Sequence, residues 1–169
     1  MSVDSSAERL WGSGHLIAGP MVRASSLPLR LSCLHYGADV VYSEELLAAR
    51  AINCKRIVND CLQTVDFIRT HHGTQDIVFR TSIDAEKEPA RCVLQLGASD
   101  AASALRAARV FEADVAAIDV NMGCPKHYAV SVGMGSQLML TPEVCMALSA
   151  IVVGTVLSFS PISDRGRHS

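Results

Sequence analysis

Residues 92–123, CVLQLGASDAASALRAARVFEADVAAIDVNMG, decide the fold of this chain. An apolar run is followed by a helical pattern with Ser99 at its cap position, and a second apolar run closes the segment. Apolar residues such as Ala104 and Ala108 recur on one face of the helix. Strands that are apolar throughout and alternate with amphipathic helices indicate parallel pairing, with both faces of the sheet covered.

The same alternation predicts four βα units along the chain, at residues 16–36, 38–62, 92–112 and 115–153. Their strands are expected near residues 16–20, 39–42, 92–96 and 115–120. The second unit is predicted to contain a helix over residues 46–63, LLAARAINCKRIVNDCLQ. DIVFRT, residues 76–81, is predicted to be a short strand or arm outside these units.

Such units suit either a doubly wound sheet or a (β/α)8 barrel. No G-x-G-x-x-G motif follows the first strand, which disfavours a dinucleotide-binding doubly wound sheet. Polar and special residues instead collect where the strands end, at Pro20-Met21, Ser43-Glu44, Gln95-Gly97 and Asn121-Cys124. Chemistry at the carboxyl ends of successive strands is typical of barrels.

A full barrel takes about 250 residues, so four units make about half of one. We therefore predict the α/β fold class, as a truncated (β/α)8 TIM barrel of about the first four βα units over residues 14–154. Residues 1–13 are expected to be an N-terminal extension. Residues 155–169, rich in Ser, Arg and Pro without a periodic pattern, are expected to form a divergent, disordered tail.

Composition disfavours several classes of protein. The chain is 49% hydrophobic and 19% charged, which suits one compact soluble domain. Its net charge of -2 gives no overall basic surface for nucleic acid, and an aromatic content of 5% disfavours a stacking platform for single strands. No apolar run approaches the roughly 20 residues of a membrane span, and the first residues do not resemble a secretory signal.

The cysteines are scattered along the chain. Six occur, with no C-x-x-C pair among them, so the sequence predicts no zinc site. Without a secretory signal the expected compartment is the reducing cytoplasm, where disulfides are not expected. Most of these cysteines are interpreted as small core residues.

Cys124 is the exception, because Gly123 and Pro125 on either side restrict the backbone and can aim the thiol. Three interpretations remain open from the residues alone. The thiol is a nucleophile with His127 as its base, a proton donor that stays protonated at neutral pH, or a small buried residue.

An ordered set of short motifs resembles the tRNA-dihydrouridine synthases, most nearly the eukaryotic cytosolic branch that modifies the D-loop. The motifs are GPMVR, LPLRLSCLHYGADVVYSEE, VFRT, VLQLGASD, AIDVNMGCPK and GMG, within residues 14–154. Dihydroorotate dehydrogenases resemble the same pattern but typically have Asn after the Cys-Pro pair. Lys126 occupies that position here, which favours the tRNA enzymes.

This resemblance implies an FMN enzyme in which NADPH reduces the flavin and the substrate is a uridine of tRNA. It implies that Cys124 is the catalytic proton donor to C5, while hydride reaches C6. Cofactor-binding roles fall to Pro20, Met21 and Val22, which line the flavin ring, and to Gln95 at its edge. Asn121 would help to position the uracil or the flavin. No metal is implied, and the expected partner is tRNA, without a membrane; the oligomeric state stays open.

The sequence also departs from the family pattern. Ser131 and Val132 stand where the family usually has Lys and Gly. A flavin-contacting Lys, a His, the late phosphate-binding loops and the RNA-binding extension of the family are expected beyond the matched motifs. A truncated isoform without stable FMN binding or catalysis is therefore one alternative. A different FMN barrel that reduces a free pyrimidine is the second.

Overall fold

The structure is a computed structural model that describes residues 10–11, 13–84 and 86–157, with side chains through Ser149. Eight strands occur in this part of the chain: β1 (Ile17–Ala18), β2 (Val40–Tyr42), β3 (Leu46–Leu47), β4 (Lys55–Asn59), β5 (Thr64–His71), β6 (Thr74–Ser82), β7 (Cys92–Gly97) and β8 (Ala117–Val120). The helices that frame them are α1 (Leu27–His35), α2 (Ala48–Ala51), α3 (Ala101–Phe111), α4 (His127–Val130) and α5 (Pro142–Leu157). Short 3-10 segments lie at Pro89–Arg91 and Gly135–Leu140.

Five strands form a parallel sheet with β7 at its centre. β2 and β3 lie one after the other along one side of β7, with Val41 beside Cys92 and Leu46 beside Leu96. β1 extends the sheet beyond β2, and β8 pairs with the other side of β7. The predicted α/β class and the parallel pairing of the four predicted strands are confirmed, and all the strand carboxyl ends meet at one edge.

The helices pack against one face of this sheet. Leu94 and Leu96 of β7 belong to a core that also contains Phe111 of α3 and Leu148 of α5. Alternate residues point the other way, and Val93 forms a smaller cluster there with Val40, Ala117 and Leu10. The pattern predicts a sheet covered on both faces. In the described residues α1, α3 and α5 cover one face, and Leu10 and Trp11, which are also helical, lie on the other.

An aromatic cluster joins the parallel sheet to a second, antiparallel sheet. The rings of Phe67 and Phe111 lie 4.5 Å apart between centroids, and Phe79 contacts both at 5.8 and 5.9 Å. Phe67 and Phe111 are fully buried. Burial contributes roughly 2 kcal/mol per ring, so the cluster fixes the second sheet against α3.

The helix predicted over residues 46–63 is wrong. It is one turn, α2, after which the chain enters β4 and pairs antiparallel with β5. Arg56 of β4 makes a bidentate ion pair with Asp114, three residues after the end of α3, with both N–O distances 2.8 Å. The partner strand β5 and the partner residue Asp114 lie outside this segment, so its local helical pattern does not decide the structure.

The hairpin of β5 and β6 was not predicted as a unit, although DIVFRT lies within β6 as expected. The two strands pair antiparallel from Thr64 beside Ser82 to His71 beside Thr74. His72 and Gly73 between them have φ angles of 49° and 78°, and two consecutive positive values define the tight turn that matches strand twist.

Smaller expectations about helix ends also change. The cap of α3 is Asp100 rather than Ser99, because its carboxylate accepts the Ser103 N–H at 2.8 Å. α5 begins at Pro142 and continues through Leu157, into the tail predicted from residue 155. Residues 158–169 of that predicted tail, and residues 1–9 of the extension, lie outside the described residues. None of the helices described is long and apolar enough to cross a membrane.

A buried ion pair ties α1 to the segment before β7. Arg30 and Glu88 are 3% and 0% exposed, and the Arg30 Nε lies 2.6 Å from a Glu88 oxygen. The two terminal nitrogens of Arg30 donate to the carbonyl oxygens of Ser25 and Arg80. Arg30 therefore occupies a buried position on α1, whereas the neighbouring Leu31 is exposed.

Candidate active site at the carboxyl edge of the parallel sheet

The loops that follow β1, β2, β7 and β8 meet at one edge because these strands run parallel. This edge carries every residue assigned to the site from the sequence. Pro20, Met21 and Val22 follow β1, Gln95 lies near the end of β7, and Asn121 and Cys124 follow β8. Their placement on one edge is a fact of the fold, whereas their roles stay predictions.

Gln95 lies on the face of the sheet opposite α3 and α5. Its side-chain amide donates to the Asp119 carboxylate at 2.8 Å, and only 9% of the residue is exposed. Tyr42 belongs to the same face, and burial followed by the charge of Asp119 raises its pKa to about 12. This face therefore carries a polar group, Asp119, that fixes the nitrogen of the Gln95 amide.

Ser43 explains why β2 and β3 are separate strands. Its N–H donates to the Val93 carbonyl, and its hydroxyl accepts the Gln95 backbone N–H at 2.9 Å. A side-chain oxygen thus stands in for a backbone carbonyl of the ladder. The chain can leave the strand here, and it presents Glu44 and Glu45 at the carboxyl edge.

The loop after β1 is held in one shape while its apolar side chains stay exposed. Ser25 accepts the Met21 N–H, and Glu44 accepts the Arg23 N–H, each at 2.9 Å. Met21 and Val22 are 46% and 54% exposed, although both are large and apolar. A fixed loop with exposed apolar side chains suits contact with a flat ring.

Asn121 organises the loop that carries Cys124. Its carbonyl oxygen accepts the N–H groups of Gly123 and Cys124 at 3.0 and 3.1 Å. Its amide nitrogen donates to a Glu45 oxygen at 3.1 Å, and the Tyr128 hydroxyl donates to the other oxygen at 3.0 Å. Glu45 therefore connects the residue before the cysteine loop to the helix α4 after it.

The carbonyl of Cys124 is fixed from the opposite side by the Gly-Met-Gly segment. It accepts the Ser136 N–H at 2.9 Å. Gly135 has a φ of 61°, and a Cβ at this position would lie 2.3 Å from that carbonyl oxygen. Only glycine satisfies both the backbone conformation and the contact.

Tyr128 is the titratable group placed beside the cysteine. The Glu45 hydrogen bond, followed by burial, the charge of Glu45 and lesser effects of Cys124, raises the Tyr128 pKa to about 12. Cys124 is partly buried. In the described residues, the His127 ring makes no hydrogen bond with Cys124, so the geometry gives no support to His127 as the base of a nucleophile.

Glu45, Asp119 and Tyr128 were missed as site residues. Glu45 lies in the VYSEE motif, and Tyr128 lies four residues after Cys124. These two positions were the sequence signals from which the residues could have been found. Groups of three or more His, Cys, Asp or Glu side chains able to hold a metal ion are absent from the described part of the chain.

Comparison with known proteins identifies the family. A family model described as Dihydrouridine synthase (Dus) matches residues 16–163. The chain is 40% identical over 144 residues to a tRNA-dihydrouridine(20) synthase [NAD(P)+] of Saccharomyces cerevisiae, covering 83% of this chain and 37% of that protein. It is 33% identical over 147 residues to the protein of that name in Schizosaccharomyces pombe, covering 85% and 30%.

A third relative is a human tRNA-dihydrouridine(20a/20b) synthase [NAD(P)+]-like protein, 29% identical over 136 residues, covering 79% of this chain and 36% of the human one. The chain thus spans about a third of the length of these curated relatives. The match covers both sheets and every loop of the carboxyl edge, and the chain belongs to the dihydrouridine synthase family.

Proposed function

We propose that this chain contributes the first part of the catalytic domain of a tRNA-dihydrouridine synthase, which reduces a uridine in the D-loop of tRNA to 5,6-dihydrouridine in the cytoplasm. The observation that carries the proposal is the fixed Cys124 loop at the edge where Gln95 and the Met21 loop also lie. The names of the yeast relatives support the substrate and the nicotinamide reductant, proposed here as NADPH.

The residues at this edge fit the ring of FMN. Met21 and Val22, with Pro20, offer an exposed apolar wall, and Gln95 offers a buried amide whose donor side is already bound to Asp119. When bound, FMN supplies the hydride that reaches C6 of the uracil. The chain's own contribution is to hold the ring flat at the carboxyl edge, away from bulk water.

Cys124 would hold the proton that C5 receives. Its backbone is fixed on both sides, by Asn121 and by Ser136, so the thiol occupies a restricted volume. A positioned acid of this kind contributes typically about 10²–10⁴-fold to the rate. Asn121 has one amide hydrogen committed to Glu45, which leaves the second for a uracil or flavin oxygen.

We further propose that the parallel sheet is the first half of a (β/α)8 barrel. The polar groups of Gln95, Asp119 and Tyr42 on the face opposite α3 and α5 support this, because a barrel wall carries its helices outside and its site residues at the inner carboxyl end. The 37% share of the yeast relative agrees with a partial barrel.

The test combines flavin binding with turnover. The chain, joined to the remaining part of the Saccharomyces cerevisiae relative, is incubated with FMN, NADPH and an unmodified tRNA transcript, and dihydrouridine is measured as the mass gain of two hydrogens. We expect product from this joined protein and at least about 10²-fold less from its Cys124→Ala variant, which should still bind FMN.

Other outcomes decide against the proposal. Bound FMN without dihydrouridine, or no FMN binding, would favour the truncated, non-catalytic isoform. Reduction of a free pyrimidine but not of tRNA would favour the other FMN barrel. Equal product from Cys124→Ala would show that Cys124 is a packing residue.

A further inference from the structure

We infer that Glu45 is a positioning residue for Cys124: its carboxylate holds the cysteine loop through Asn121 on one side and through Tyr128 on the other. The inference deepens the proposed function and rests on it for the role of Cys124 as proton donor. Glu45 itself need not touch the flavin or the uracil.

The first step of the argument is the direction of the Asn121 amide. An amide can present either its oxygen or its nitrogen to the loop. The Glu45 carboxylate has only acceptors, so it selects the orientation in which the Asn121 nitrogen faces it, at 3.1 Å. The Asn121 oxygen then faces the N–H groups of Gly123 and Cys124 and accepts from both.

The second step is the contact between Glu45 and α4, on the far side of the cysteine loop. The Tyr128 hydroxyl donates to the second oxygen of Glu45 at 3.0 Å, and Tyr128 belongs to α4, which begins three residues after Cys124. One carboxylate therefore fixes both flanks of the loop. A charge-assisted hydrogen bond is about twice as strong as a neutral one, which suits this task.

The third step is an independent constraint on Glu45 from β7. A Cβ added to Gly97 would lie 2.7 Å from a Glu45 carboxylate oxygen and 3.3 Å from its carboxyl carbon. Gly97 has no positive φ, so space for the carboxylate, rather than backbone conformation, is what glycine provides there. The sheet thus leaves room for Glu45 in the position from which it reaches Asn121 and Tyr128.

The experiment measures amide hydrogen exchange at Gly123 and Cys124 in the chain alone, without tRNA or flavin. We expect Glu45→Ala to speed exchange of both amides roughly tenfold, because the Asn121 amide loses the partner that orients it. Gly97→Ala should also speed exchange of both amides, because the added methyl group would displace the Glu45 carboxylate. Glu45→Gln should restore most of the protection, because its oxygen can accept from Asn121 while its amide donates to Tyr128.

Glu44→Ala is the matched control for exchange, because the neighbouring carboxylate binds the Arg23 N–H in another loop. It should leave the exchange of Gly123 and Cys124 unchanged. The inference is overturned if Glu45→Ala and Gly97→Ala leave these amides as protected as before. It is also overturned if Glu44→Ala or Glu45→Gln exposes them as much as Glu45→Ala does.

A turnover measurement separates positioning from simple folding support. With tRNA as substrate, Glu45→Ala should lower kcat at least tenfold with little change in KM, and Glu45→Gln should recover most of the loss. Faster exchange with unaltered kcat would overturn the positioning role. If the chain joined to the remaining part of the yeast relative makes no dihydrouridine, the proposed function fails, and the exchange data alone still decide whether Glu45 holds the loop.

Discussion

Replacing Arg30 should lower the free energy of unfolding more than replacing any other charged residue described above. Arg30 is almost wholly buried and makes three charge-assisted hydrogen bonds of 2.6 to 2.7 Å, to Glu88 and to the carbonyl oxygens of Ser25 and Arg80. Glu88 also accepts from the Thr81 hydroxyl. Arg30→Met keeps much of the apolar stem but leaves the Glu88 carboxylate buried without its cation.

Breaking a buried pair by removing one partner costs about 3–5 kcal/mol, chiefly because an uncompensated charge remains. Most of that cost should appear in the free energy of unfolding, measured by urea titration with far-ultraviolet circular dichroism. At about 2 kcal/mol per molar urea, the midpoint should fall by roughly 2 M. Arg30→Met combined with Glu88→Gln should cost less than the two single changes together, since the stranded charge is gone.

Lys87→Ala is the control, because Lys87 pairs with Asp84 at 3.1 Å on the surface next to Glu88. An exposed pair of this kind is worth about 0–1 kcal/mol, so its midpoint should hardly move. A loss below about 1 kcal/mol for Arg30→Met would refute the reasoning. Strict additivity of Arg30→Met and Glu88→Gln would refute it equally.

Three further predictions concern titration and backbone conformation. Glu45→Gln should lower the Tyr128 pKa from about 12 toward 10, read from phenolate absorbance; an unmoved titration would deny the hydrogen bond. The Arg80 hydrogen bonds hold the Asp66 pKa at about 2, so its contribution of about 2 kcal/mol is complete above pH 4 and is lost as the pH falls toward 2. Asp66→Asn should flatten that part of the curve of stability against pH, and an equally steep curve would contradict the assignment. Gly135→Ala should cost at least about 1–2 kcal/mol in urea unfolding and speed amide exchange at Ser136; a neutral result would mean that the Cys124 carbonyl is free to move.

The sequence predicts the parallel sheet well because each of its strands can be recognised from its own residues. Residues 92–97 are apolar except for Gln95 and stay buried on both faces, so no distant partner is needed to recognise them. The segment 46–63 fails for the opposite reason. Its strand β4 has mostly exposed side chains and depends on β5 for its backbone partners and on Asp114, 58 residues away, for its anchor.

The candidate site divides in the same way. Cys124 can be found from the sequence because glycine and proline flank it, and Gln95 because it ends an apolar strand. Glu45 cannot be found so, since its partners Asn121 and Tyr128 lie 76 and 83 residues further along the chain. Only the pairing of β3 and β8 with the two sides of β7 brings one carboxylate to both.

The break in the strand at Ser43 has a thermodynamic consequence. It releases two consecutive carboxylates to two different loops: Glu44 accepts from Arg23 after the first strand, and Glu45 accepts from Asn121 beside the cysteine. Because each loop is held by its own carboxylate, each can lose its contact without the other. The two loops are therefore separate local units, each opening at a free-energy cost of its own.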